Sequence, residues 1–120
     1  MKKILIVDDE PNIIMALEYT FKKNNFEVFI ARDGQEALDI LKLNFPDVII
    51  LDVMMPTVDG YATLEQIKKD KNLNHTKVVF LSAKNKASDI QKGMDLGANA
   101  YLTKPFSVKN VVDKVFELVS

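Results

Sequence analysis

Five short apolar runs punctuate the chain, at 4–7, 28–31, 48–51, 78–81 and 100–102. Each is short for a helix and lacks the apolar–polar alternation of a half-exposed strand, so each predicts a strand buried on both faces, as in a parallel sheet. The stretches between them carry helical periodicity. Ile13, Leu17, Thr20 and Phe21 share one face behind a Pro11-Asn12 start. Asp33 with Glu36 three residues on has capping-box spacing and leads into Ala37, Leu38 and Leu41. Asp59-Gly60 opens a third helix, with Leu64 and Ile67 facing inward and Lys68-Lys69-Asp70-Lys71 facing water. A fourth, over about 86–96, places Ile90, Gly93 and Met94 on one face and stops at Gly97. The last has the strongest pattern: behind a Ser107 N-cap, Val108, Val111, Val112, Val115, Phe116 and Val119 line one stripe.

Strand and helix alternate five times, which predicts an α/β, three-layer doubly wound sandwich with right-handed crossovers around a five-stranded parallel sheet. The strand order expected is 2-1-3-4-5, the flavodoxin-like arrangement, with five helices. It places the topological switch point between the first and third strands, which end in Asp8-Asp9 and in Asp52. No linker, repeat or low-complexity segment interrupts the pattern, so residues 1–120 are expected to form a single domain.

Three of the apolar runs end in charge: the first in Asp8-Asp9, the third in Asp52, the fifth in Thr103-Lys104-Pro105. In an open parallel sheet these ends share one edge, the edge that carries the ligand crevice. Clustered carboxylates repel one another unless they take up protons or a cation joins them. Mg²⁺, with Mn²⁺ as the alternative, fits oxygen ligands and keeps waters that leave room for phosphate oxygens. Lys104 adds a compact positive charge opposite. Asp52 can then act as a nucleophile toward phosphorus, and Ser82, ending the fourth run, brings a hydroxyl to the same edge.

Composition narrows the classes further. With 48% hydrophobic and 28% charged residues and a net charge of −1, the chain has no general reason to bind nucleic acid or an anionic membrane. The absence of cysteine excludes disulfides, thiolate metal sites and thiol nucleophiles. Lys2-Lys3 precedes only four strongly apolar residues, too few for a signal-peptide core, and no stretch approaches the ~20 apolar residues of a membrane span. A cytoplasmic domain is expected.

Taken singly, these features have ordinary readings. Asp8-Asp9-Glu10 suits a solvated helix N-terminus, Asp52 a turn, Ser82 a helix cap, Tyr101 a core position and His75 an exposed loop. Taken together they resemble a known pattern. Val7-Asp8-Asp9-Glu10, Leu51-Asp52-Val53-Met54-Met55-Pro56 with Asp59-Gly60, Leu81-Ser82-Ala83, and Gly97 through Phe106 resemble, in order and over essentially the whole chain, the receiver domain of two-component response regulators.

The resemblance implies that Asp52 is the phosphoacceptor, fed by a phosphohistidine of a sensor histidine kinase or phosphotransfer protein. It implies Mg²⁺ held by Asp8, Asp9, Asp52 and the backbone carbonyl of Met54, with Lys104 and Ser82 contacting the phosphoryl group. Ser82 and Tyr101 become the switch residues, Lys104-Pro105 a cis peptide, and the surface of the fourth helix, fifth strand and fifth helix the output face. That face would control an output protein or domain, or a phosphorylation-dependent homodimer, with no turnover of an external substrate.

Thr57-Val58 stand where the family often has glycine and methionine. Met54 and Lys84 occupy two variable positions that flank the attacking water in this family. A bulky apolar Met54 is expected to hinder that water and lengthen the life of the phosphorylated state.

Three other readings compete. An aspartyl-nucleophile phosphatase of the haloacid-dehalogenase type needs a second aspartate two residues after the first, where this chain has Met54. A flavin or nucleotide module cradles phosphate on glycine- or hydroxyl-rich loops, whereas the first loop here is Asp-Asp-Glu-Pro. A receiver used only as a scaffold would not need every site residue that is present.

Overall fold

The computed structural model describes residues 1–120. Strands β1 (Lys2–Val7), β2 (Phe26–Ala31), β3 (Val48–Leu51), β4 (Lys77–Ser82) and β5 (Ala100–Thr103) form one sheet in the order β2-β1-β3-β4-β5, all neighbours parallel. Helices α1 (Pro11–Lys23), α2 (Gly34–Leu41), α3 (Gly60–Lys69), α4 (Ala87–Asp95) and α5 (Val108–Val119) connect and follow them, with a 3-10 turn at Lys71–Leu73 after α3. The expected architecture and strand order are both present. No helix is long and apolar enough to cross a membrane.

The apolar runs are continuous because both faces of the sheet are covered. Leu5, Val7, Ile49, Leu51, Val78 and Phe80 pack in a core with Ala37, Leu41, Tyr61, Leu64 and Ile67 of α2 and α3. Their neighbours Ile4, Ile6, Val48, Ile50, Val79 and Leu81 pack on the other face with Leu17 and Phe21 of α1 and Val111 and Val115 of α5. Side chains alternate between faces with period two, and here both sets are buried.

Helix ends follow their sequence signals with small shifts. Asp59, Asp33 and Ser107 cap α3, α2 and α5, accepting from the backbone N–H of Ala62, Glu36 and Asn110. The Glu36 carboxylate reaches back to the N–H of Arg32 at 3.1 Å, one residue beyond the reciprocal Asp33 contact that the capping-box spacing suggests. The α4 terminus is a Schellman turn: Gly97 has φ +105°, its N–H bonds the Met94 carbonyl, and Ala98 N–H bonds Gly93.

Two apolar faces differ from the expectation. The buried stripe of α1 centres on Ile14, Leu17 and Phe21, with Ile13 and Thr20 at its margins. Met94 is 40% exposed, because α4 sits shallowly on the sheet and buries only Gly93.

Candidate functional site

The order in which strands are added to the all-parallel sheet reverses between β1 and β3, and the loops leaving their C-terminal ends diverge there. Asp8 and Asp52 each follow directly on these strands, and backbone bonds fix both: Asp8 N–H to Ala31 and Asp52 N–H to Val7. Asp8 and Asp52 are buried, at 2% and 4% exposure, while Asp9 is exposed. One carboxylate oxygen from each of the three lies within 4.8 Å of the others.

Lys104, immediately after β5, completes the cluster. Its Nζ lies 3.0 Å from Asp8 Oδ2, 3.4 Å from Asp52 Oδ2 and 3.5 Å from Glu10 Oε2. The contact with Glu10 is one that the sequence reading did not assign, although Glu10 belongs to the same acidic run. The remaining carboxylate oxygens take backbone donors: Asp8 Oδ1 accepts from Glu10 N–H at 2.9 Å and Asp52 Oδ1 from Met54 N–H at 3.3 Å. The Lys104-Pro105 peptide is cis.

The electrostatics are those of an acidic site short of positive charge. Burial, and next the Asp8 charge, push the Asp52 carboxyl up to about 6, with Lys104 only partly offsetting them. Burial raises Asp8 as well. Burial works against the charge of Lys104, but its hydrogen bond to Asp8 and the charges of Asp52, Asp8 and Glu10 outweigh it and raise its pKa. One ammonium thus serves three carboxylates, with Asp9 a further acid in the cluster. The donor set is all hard oxygen, and the chain's single histidine, His75, lies before β4 at the opposite edge of the sheet. This set fits a hard divalent cation such as Mg²⁺ and does not suit zinc.

Ser82 ends β4, fully buried, and its Oγ accepts from Lys84 N–H at 3.2 Å. It is tied to the Lys104 segment through Lys104 N–H to the Ser82 carbonyl at 2.8 Å. Tyr101, on β5, packs against Phe80 with centroids 5.6 Å apart and donates its hydroxyl to the Lys84 carbonyl at 2.8 Å. Met54 is 58% exposed and, with Asp9, Pro56, Tyr61, Lys84 and Lys92, borders an open groove of about 460 Å³ beside the acidic cluster.

Known proteins bear directly on this arrangement. A family model described as the response regulator receiver domain matches residues 4–116. The chain belongs to the response regulator receiver family. This receiver is 40% identical over 114 residues to the alkaline phosphatase synthesis transcriptional regulatory protein PhoP of Bacillus subtilis, covering 95% of the chain and 47% of that protein. It is 39% identical over 118 residues to the probable transcriptional regulator ycf27 of Cyanophora paradoxa, covering 98% and 48%. The chain therefore spans about half the length of the curated relatives it matches. Among solved structures, the receiver domain of the Francisella response regulator 1452 superposes with a TM-score of 0.91 at 35% identity, covering 99% of this chain and 97% of that one. The chemotaxis response regulator CheY4 of Vibrio cholerae gives 0.92 at 30%, covering 98% of each. Receiver-type signalling and the flavodoxin-like sandwich, both expected from the motifs, agree with these relatives.

Proposed function

We propose that this receiver is a phosphorylation-dependent switch in which Asp52 accepts a phosphoryl group from the phosphohistidine of a sensor histidine kinase or phosphotransfer protein. The observation that carries this reading is a buried Asp52 held 3.4 Å from Lys104 and within 4.8 Å of Asp8 and Asp9. A pKa of about 6 leaves Asp52 largely ionised at neutral pH and nucleophilic. An Oδ of Asp52 forms the O–P bond as the N–P bond breaks. The bonding pair returns to the imidazole nitrogen of the donor, which takes up a proton.

Mg²⁺, or Mn²⁺ in its place, would be held by Asp8, Asp9, Asp52 and the Met54 carbonyl and would neutralise phosphoryl oxygens. Lys104 shifts its ion pair from Asp52 Oδ2 to a phosphoryl oxygen. The Ser82 hydroxyl, which now accepts from Lys84 N–H, has its own proton to donate to another.

Tyr101 couples the site to the surface, since its hydroxyl is bound to Lys84, two residues after Ser82. Movement of Ser82 toward the phosphoryl group alters the space beside that ring, and the α4–β5–α5 face repacks. Such a switch requires states separated by only a few kcal/mol. Its output is a change in affinity for an output protein or output domain, or for a second copy of the chain. Transcriptional control is the output class favoured by the names of the two curated relatives. The residues 1–120 act as one domain in the cytoplasm and turn over no external substrate.

Intact mass after incubation with Mg²⁺ and a small-molecule phosphodonor tests the proposal. One added phosphoryl group is expected, absent in Asp52→Asn and released by hydroxylamine. Phosphorylation that persists in Asp52→Asn would sink it.

A further inference from the structure

Helix α4 is the least anchored helix of the fold, because Gly93 is the only buried residue among its nine. Gly93 seats on the rings of Phe80 and Tyr101, where an added Cβ would lie 3.0 Å from each. Beyond that seat, two tyrosine hydroxyls hold backbone at the start of the helix. Tyr101 donates to the carbonyl of Lys84 in the loop before α4, at 2.8 Å. Tyr61, near the start of α3 and 6% exposed, donates to the carbonyl of Asp89 in the first turn of α4, at 3.0 Å.

Tyr61 is gripped a second time by the same helix. The Lys92 ammonium lies over its ring, 4.5 Å from the centroid. Asp89 and Lys92 are three residues apart and so project from one face of α4. Phe80 meets the ring edge-on at 5.5 Å, which fixes its position from the sheet side.

The two hydroxyl contacts differ in what breaks them. The Tyr101 contact is lost whenever that ring turns away from Lys84. The Tyr61 hydroxyl lies close enough to the Tyr101 hydroxyl to interact with it, but its acceptor, the Asp89 carbonyl, belongs to α4 itself and not to Tyr101. We propose that Tyr61 is the pivot of α4. It pins the first turn of the helix to α3, so that rearrangement coupled to Tyr101 frees residues 83–86 and tilts α4 about Asp89 without releasing it. The coupling to Tyr101 rests on the switch reading given above; the pin itself does not.

Hydrogen–deuterium exchange on wild type, Tyr61→Phe and Tyr101→Phe, with and without Mg²⁺ and beryllofluoride, tests both parts. The Phe variant keeps the ring and removes one hydrogen bond. Without ligand, α4 amides of Tyr61→Phe are expected to exchange about fivefold faster while α1 and α2 are unchanged. Tyr101→Phe speeds exchange at 83–86 instead. With beryllofluoride, wild-type exchange changes at 83–86 and stays within about twofold over α4, and in Tyr61→Phe the change spreads through α4. Unaltered α4 exchange in ligand-free Tyr61→Phe, or an equal acceleration in α1 and α2, overturns the pivot. A wild type that ignores Mg²⁺ and beryllofluoride overturns the switch reading and the tilt with it, while the ligand-free comparison still decides the pin.

Discussion

The Lys104 ammonium lies 3.4 Å from the Asp52 carboxylate, yet that carboxyl is pushed up to about 6, because burial and the neighbouring Asp8 outweigh the ion pair. A carboxylate with such a partner ordinarily titrates low. The single lysine is divided among Asp8, Asp52 and Glu10 and cannot neutralise all three.

Metal-free stability should therefore fall as pH rises through the site. Between the ordinary value of 3.8 and about 6, the folded protein holds the Asp52 proton and the unfolded chain does not. Stability from this group is present below that window and lost as pH climbs through it, reaching a deficit of roughly 3 kcal/mol by pH 7. Asp8 shifts in the same direction. Asp52→Asn should raise the metal-free unfolding free energy at pH 7 by about 1–3 kcal/mol and flatten its pH dependence between 4 and 7. Mg²⁺ should stabilise wild type more at pH 7 than at pH 5, since protons compete for its ligands. Denaturant titrations at the two pH values, with and without Mg²⁺, decide the matter, and an Asn variant less stable than wild type at pH 7 would refute the sign.

Gly60 is where α3 docks on the backbone that carries Asp52, the proposed phosphoacceptor. Its N–H bonds the Val53 carbonyl at 2.8 Å, and a Cβ there would overlap the Asp52 carbonyl oxygen and lie 2.8 Å from Val53 Cα. Neither neighbour is a flexible side chain, so the clash must move main chain. Gly60→Ala should cost about 2–3 kcal/mol of stability and slow phosphorylation by misplacing Asp52. Equilibrium unfolding with intact-mass time courses would expose the error if both values match wild type.

Thr57 carries a different kind of strain. It is β-branched at φ +66°, a region such residues rarely adopt, in the loop between β3 and α3. Glycine removes the Cβ penalty of about 1–2 kcal/mol but makes the unfolded chain more flexible, at a cost of about 0.5–1 kcal/mol. It also loses the exposed Thr57 hydroxyl bond to the Pro56 carbonyl. Thr57→Gly should stabilise the protein by on the order of 0.5 kcal/mol, and a lowered denaturation midpoint would show that the loop is not strained there.

Much of this was written in the pattern of apolar runs. Strands buried on both faces leave no alternation, and the residues that end them, Asp8, Asp52, Ser82 and Lys104, had to fall on one edge once the sheet was parallel. What stayed hidden depends on how helices settle. Met94 sits on the periodic face of α4 yet is 40% exposed, because the depth of a helix on a sheet is set by packing and not by its own period. The bond from Tyr61 to Asp89 spans 28 residues and joins two helices that no sequence spacing relates. Glu36 chose the Arg32 N–H over its neighbour, a one-residue difference that the capping-box pattern does not resolve.

The lifetime of the proposed phosphorylated state should depend on Met54. Its backbone N–H is tied to Asp52 Oδ1 while its side chain stands 58% exposed at the groove shared with Asp9 and Lys84. Water attacking a phosphorylated Asp52 from this groove would approach past this thioether, which fills space and offers only a weak acceptor. An amide at the same position is shorter and supplies both a donor and an acceptor to orient that water. Met54→Asn should therefore lose phosphate severalfold faster, a change of about 1 kcal/mol in the barrier, with the amount of phosphoryl group accepted at saturation in short incubations unchanged. Phosphate release followed after removal of the donor gives the rate, and an unchanged or slower loss would show that Met54 does not obstruct the water.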